Sequence, residues 1–197
     1  MPRRGSTITL RLAVPGDIPD LRALIAVSVR SLSKGHYTRE QTDAALIYMF
    51  GVDSRLIDDG TYYVITDGAV IVAAGGWSAR RTLYGGDQSS GRADTALDPA
   101  TMPARIRAFF VHPDWTRRGL ARRIYRECET AAEAGGFRAF ELVSTLPGEP
   151  LYRALGFAAL EPVHIPLADD LVLSCVRMHR AIGNADIPVP PGSGHVL

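Results

Sequence analysis

The residues of this chain best suited to hold a ligand lie in Val111-His112-Pro113-Asp114-Trp115-Thr116-Arg117-Arg118-Gly119-Leu120-Ala121. A hydrophobic run through Ile106, Ala108, Phe109, Phe110 and Val111 stops at Pro113, two arginines and a glycine follow, and a long amphipathic helix begins. A strand, a basic glycine turn and a helix start together make an anion site. Amides at a helix start have no intrahelical partner, and the helix dipole adds partial positive charge there. Free amides at Gly119, Leu120, Ala121 and Arg122 suit a pyrophosphate, Gly119 lets the backbone come close, and Arg117, Arg118, Arg122 and Arg123 offer charge-assisted bonds. With one glycine the turn is no GxGxxG fingerprint, and without Gly-Lys-Ser/Thr it is no P-loop. On the turn alone, the alternative reading is a helix start with solvated arginines.

Two further groups carry chemistry. Leu151, Tyr152, Leu155 and Phe157 read as an apolar patch in which Tyr152 is packed, with a phenol that could also donate a proton. A phenol, with a reference pKa of about 10, keeps its proton at neutral pH. Arg105 and Arg107 alternate with Ile106 and Ala108 and share a strand face. They suit either a salt-bridged surface or a carboxylate or phosphate on a ligand. Tyr37, Trp77 and Tyr84 are candidates to line a pocket between the first helices and the long loop, although taken singly each reads first as core packing or surface decoration.

The elements that position these groups follow from periodicity. Residues 7–12 alternate as a half-buried strand, and Asp17 is placed to cap the helix carrying Ile18, Leu21, Ile25, Val29 and Leu32. Thr38-Arg39-Glu40-Gln41 has capping-box form and opens a helix to about Phe50. Tyr62–Thr66 and Ala69–Trp77 form a hairpin around Asp67-Gly68. Residues 78–104 are a long loop insertion. Arg105–Val111 is the central strand, followed by a helix from about Arg117 to Ala134, a strand over Phe137–Val143 and a short helix over Leu146–Leu155 that Thr145 can cap. A final antiparallel pair surrounds Asp169-Asp170. Residues 1–183 thus read as one domain, and 184–197 as a Pro/Gly-rich disordered tail. The fold class is α/β (α+β), with a mixed, twisted seven-stranded sheet flanked by helices.

Composition narrows the class further. A net charge of +1 at pH 7 gives no bulk drive toward nucleic acid or a membrane. Cys128 and Cys175 are too few for a disulfide framework and read as buried thiols, and the histidines lack metal-ligand spacing, so no metal is expected. No signal peptide or membrane-spanning run is evident, and the expected location is the cytoplasm. Exposed sheet edges are compatible with a homodimer.

Val111-x-Pro113, Arg117-Arg118-Gly119-Leu120-Ala121 and Leu151-Tyr152-Arg153-Ala154-Leu155-Gly156-Phe157, taken together, resemble the GNAT superfamily of acetyl-CoA-dependent N-acetyltransferases. The resemblance covers roughly residues 7–179. Thr116 stands where the family has Arg or Gln, and Thr145 where it often has Asn. The resemblance implies acetyl-CoA as co-substrate and no metal. The central strand would splay from its neighbour, Phe110 and Val111 would bond the pantetheine arm, and the amides from Arg117 to Arg122 would hold the pyrophosphate. Tyr152 would act as general acid, and a primary amine, small molecule or peptide, would be the acceptor. The position of the glutamate base used by some relatives falls near Arg105, leaving Glu141, His112, His36 and Glu149 as candidate bases. Arg105, Arg107, Tyr37 and Trp77 are the acceptor-side candidates. The alternatives are a non-catalytic acyl-CoA-binding module, a nucleotide-phosphate binder of another fold, and an interaction protein working through its loop and tail.

Overall fold

The alternation of residues 8–12 places strand β1 (Ile8–Leu12) at one edge of a seven-stranded sheet, and the chain then turns at Pro15 into helix α1 (Ile18–Leu32). The computed structural model describes residues 7–183 except Gly91, Asp94 and Asp169; the tail 184–197 and Asp169 of the expected turn lie outside that range. Asp17 stands at the N-cap position of α1, but its side chain makes no cap bond to the helix. Its carboxylate reaches back to accept the Val14 N–H at 2.8 Å and a forked pair of bonds from Arg11 at 2.7 and 2.8 Å. The Thr38 capping box forms as its spacing requires, with Gln41 N–H on Thr38 Oγ1 at 3.1 Å and Thr38 N–H on Gln41 Oε1 at 2.9 Å. It opens α2 (Arg39–Tyr48), which ends slightly before the expected Phe50. A short helix, α3 (Ser54–Asp58), follows, with too few residues to show a periodicity.

The hairpin pairs β2 (Tyr62–Asp67) with β3 (Val70–Ser78), and its two turn residues are Gly68 and Ala69 rather than Asp67 and Gly68. Then come β4 (Ala104–Val111), α4 (Leu120–Ala134), β5 (Ala139–Thr145), α5 (Glu149–Ala154), β6 (Ala158–Pro166) and β7 (Val172–Ala181). The sheet order is β1-β2-β3-β4-β5-β7-β6, and β4–β5 is the parallel pair. Helix α1 and the residues of α3 cover one face, where Leu21, Leu24, Ile25 and Leu56 meet Tyr62 and Val64. The other face packs on α4 through Ile124, Tyr125, Cys128 and Ala132. A smaller cluster joins Ala45 and Met49 to Ile165, Leu173 and Cys175. Both cysteines are free and buried.

Two irregularities in β4 set up the site. The first is its pairing with β5, which lasts only for Ala104 with Phe140 and Arg105 with Glu141. Past that point β5 stays with β7 as far as Thr145, β4 stays with β3 as far as Val111, and the two parallel strands part. The second is a bulge opposite Gly75, where Ala108 takes a left-handed φ of 54°. The extra residue inverts the strand's parity: Ala104 and Ile106 point to the α4 face before it, Phe109 and Val111 after it. Phe110 turns to the α1 face. Tyr62 holds the bulge by donating its hydroxyl to the Ala108 carbonyl at 3.0 Å. Gly75 is required there, because a Cβ would lie 2.7 Å from the Phe109 ring.

Candidate active site

The parted strands open a cleft of about 780 Å³ whose walls include residues 106–111 of β4 and Val143, Ser144 and Thr145 of β5. Antiparallel pairing occupies the β3 side of β4, so the opposite edge offers its backbone groups to whatever enters. The Val111 N–H points off the β3 ladder and donates to Ser28 Oγ at 3.3 Å. Ser28 is buried in α1 and was not singled out from the sequence; its signal was a polar residue inside the apolar stripe of that helix.

At the mouth of the cleft, the chain leaves β4 through Pro113–Trp115 and makes a left-handed turn before α4. Arg117 has φ of 61° and Gly119, the N-cap, has φ of 78°. These conformations stop the helix from starting at Arg117 and delay it to Leu120. Among the described residues, the amides of Arg117, Arg118, Gly119, Leu120, Ala121 and Arg122 meet no acceptor; the first engaged is Arg123, which donates to the Gly119 carbonyl at 3.0 Å. Space over Gly119 is open, with no heavy atom within 4 Å of an ideal Cβ.

The side chains of Arg117, Arg118, Arg122 and Arg123 are exposed and form no ion pair with any described residue. Arg118 stacks over Trp115 at 4.6 Å. Arginines in the first turn of a helix oppose its dipole, an unfavourable arrangement that an anion at this spot would reverse. Thr116 bonds the Pro113 carbonyl at 3.0 Å and braces the turn.

Tyr152, on α5, lines the same cleft. Its ring packs edge-to-face on Phe109 at 6.3 Å and on Phe157 at 5.7 Å. The hydroxyl has no hydrogen-bond partner among the described residues. Burial pushes its pKa well above the usual tyrosine value. Thr145 does not cap α5, since the N-cap is Gly148 and no side chain caps it; the Thr145 carbonyl instead accepts the Gly148 N–H at 3.0 Å.

The acceptor-side candidates do not converge. Trp77 is core, edge-to-face with Phe137 at 5.8 Å, and does not line the cleft. Tyr37 lines a neighbouring groove between α1 and α2. Its hydroxyl bonds the Ser174 carbonyl at 2.6 Å and receives the Leu146 N–H at 2.8 Å, pinning the α1–α2 connection to β5 and β7. Arg105 faces Glu141 at 3.3 Å.

Arg107 reaches the cleft wall, but it donates to the Thr82 carbonyl at 2.8 Å and to Asp53 at 2.8 Å. Burial lowers its pKa to about 10. Asp53, 1% exposed, also pairs with Arg92, which pairs with Asp87 at 2.9 Å. This buried network fastens the long loop to β4 and to the N-terminus of α3. Leu83, Tyr84 and Gly85 of that loop thereby form part of the cleft wall.

Of the candidate bases, Glu141 is held by Arg177 at 2.8 and 3.0 Å, and Glu149 by Arg153 at 2.6 Å. Neither they nor His112 line the cleft, whereas His36 does. Among the described residues no group of three or more His, Cys, Asp or Glu is arranged to hold a metal. Among the same residues, no helix is long and apolar enough to cross a membrane.

An acetyltransferase (GNAT) domain model matches residues 58–159, from the end of α3 through α4 to the first residues of β6. Solved structures share the architecture. A GCN5-related N-acetyltransferase from Rhodopseudomonas palustris superimposes with a TM-score of 0.64 at 18% identity, over 89% of this chain and 96% of its own. PaiA N-acetyltransferase from Thermoplasma acidophilum, in complex with coenzyme A, gives 0.61 at 12% identity over 89% and 99%. A GNAT family acetyltransferase from Brucella melitensis, in complex with acetyl-CoA, gives 0.55 at 16% identity over 92% of each chain. No curated protein matches the sequence. The chain belongs to the GNAT acetyltransferase family, and its class is that of the acetyl-CoA-dependent acyltransferases.

Proposed function

We propose that this protein transfers an acetyl group from acetyl-CoA to a primary amine by direct attack in a ternary complex. The observation that carries this reading is the convergence, in one cleft, of an open strand edge, a run of unengaged amides with unpaired arginines, and an unbonded phenol. These residues fit acetyl-CoA by chemistry. The amides of Arg117 to Arg122 suit a pyrophosphate. The edge at Phe110 and Val111 that faces away from β3, among the described residues unpaired with any strand and engaged only by Ser28 Oγ, suits an amide-bearing arm.

Acetyl-CoA supplies the acyl group as an activated thioester. The N–H of Val111, released from Ser28 Oγ, polarises the acyl carbonyl as an oxyanion donor does. As the C–N bond forms and the C–S bond breaks, Tyr152 passes its phenolic proton to the departing sulfur and regains one from water. His36 takes the proton that the nitrogen loses, directly or through one water, because the other candidate bases stand outside the cleft. Direct attack is supported by the state of the two thiols. Burial raises both, Cys175 to about 12, so neither offers a thiolate to carry the acetyl group.

The test is thiol release from acetyl-CoA in the presence of a primary amine, comparing the parent chain with Tyr152→Phe. Expected is on the order of 10²-fold lower turnover in the variant, with coenzyme A affinity retained. Full turnover in the variant would refute the role of Tyr152. Coenzyme A binding with no thiol release for any amine would leave a binding module.

A further inference from the structure

If the cleft carries out acetyl transfer, on which the inference rests, its lining selects the acceptor. Away from the basic turn, the wall is made by Leu32 and Phe50 from the helical side, Leu83 and Tyr84 from the loop, and Phe110 from β4. Among the described residues that line the cleft there is no aspartate or glutamate. Carboxylates around it are turned to arginines: Glu141 to Arg177 and Arg105, Asp53 to Arg107 and Arg92, and Asp87, which lines the adjoining groove beside Phe50 and Gly51, to Arg92. The same pairing neutralises Arg105 and Arg107, so among the described residues no unpaired arginine remains on this side to receive an anion. The wall is also fixed, because Arg107 holds the loop through the Thr82 carbonyl.

An ammonium group entering here loses hydration and gains no countercharge, while the unpaired arginines at the cleft mouth repel it. A carboxylate on the acceptor finds no unpaired arginine among the described residues near the aromatic wall, and Ser33 and His36 offer it only polar contacts there. An apolar body loses nothing by burial and gains contact with Phe50, Tyr84 and Phe110. The same environment favours the uncharged amine, which is the form that attacks.

We propose that the acceptor is a primary monoamine with an uncharged, apolar body of aromatic size, and that polyamines and free amino acids are poor acceptors. The step balances as the neutral amine plus thioester giving the amide plus free thiol, with one N–H proton leaving the nitrogen and one proton arriving on sulfur.

The experiment measures thiol release by the full chain at saturating acetyl-CoA with 2-phenylethylamine, spermidine and glutamate as acceptors. The expected kcat/KM for 2-phenylethylamine exceeds that of each of the others by roughly tenfold or more, in the range set by buried polar mismatch. Tyr84→Ala lowers the 2-phenylethylamine value and leaves coenzyme A affinity unchanged. Leu32→Glu, which adds a carboxylate at an exposed position of the wall, shifts the ratio toward spermidine. Spermidine or glutamate equalling 2-phenylethylamine in the parent chain overturns the proposal. So does a chain that binds coenzyme A by calorimetry yet acetylates none of the amines. A chain that fails to bind coenzyme A overturns the underlying reading together with it.

Discussion

Tyr152 is held by its ring and left free at its oxygen, an arrangement that suits a donor. Burial raises its pKa, so it keeps its proton across the range in which amines become nucleophilic. Turnover therefore does not fall between about pH 8 and 10 through ionisation of this phenol, and a pH–rate profile checks this. His36→Gln should lower turnover by roughly tenfold near neutrality, with recovery as the pH rises and the free amine loses its own proton to solvent. An unchanged profile would remove His36 from the mechanism.

Asp17 gives a stability prediction. Its hydrogen bonds from Arg11 hold the carboxyl below its usual pKa. Its contribution is present above the unfolded carboxylate value of about 4 and is lost as the pH falls through the lower folded value. Asp17→Asn should flatten the acid limb of thermal stability below about pH 4 and leave the neutral region nearly parallel to the parent. Of the two readings open for Arg105 and Arg107, the salt-bridged face is the one that forms, and both answer acids far away in sequence. Asp53 and Glu141 carry no local mark of that pairing, so a pattern read along the chain could not expose it.

The turn before α4 is where backbone conformation decides binding. An alanine at Gly119 meets no steric obstacle in the protein, but it must hold φ near 78°. Gly119→Ala should cost about 1 kcal/mol of stability and weaken coenzyme A binding by severalfold, measured by thermal unfolding and by titration. Equal affinity would show that the turn does not grip the pyrophosphate. Asp53→Asn leaves Arg107 buried without its countercharge, and should cost about 3–5 kcal/mol in chemical unfolding. The repeating elements were legible because apolar periodicity marks them: α1, β1 and the Thr38 box all stand where their residues imply. The β4 bulge was not legible, since Ala108 is an ordinary residue whose left-handed conformation is imposed by Tyr62 above it and by the Phe109 ring lodged over Gly75. The late start of α4 has the same origin, a backbone turn that side-chain pattern does not encode.

The fold and the cleft share one cause. A parallel pair that holds for only two residue pairs must open beyond them, and the opening is kept because β3 on one side and β7 on the other bind the parted strands along their full length. A split strand pair was expected from the family resemblance rather than from hydrophobic pattern, which cannot specify register between strands distant in sequence. The placing of β7 between β5 and β6 is non-local in the same way. The outer strand β6 carries Pro162 and Pro166, which lack donors and discourage a further strand from pairing there. The claim on which the rest stands is that this opening and its basic rim receive coenzyme A. Isothermal titration of coenzyme A into the folded chain tests it most directly: saturable one-to-one binding is predicted, and folded protein that gives no heat of binding at any concentration would contradict it.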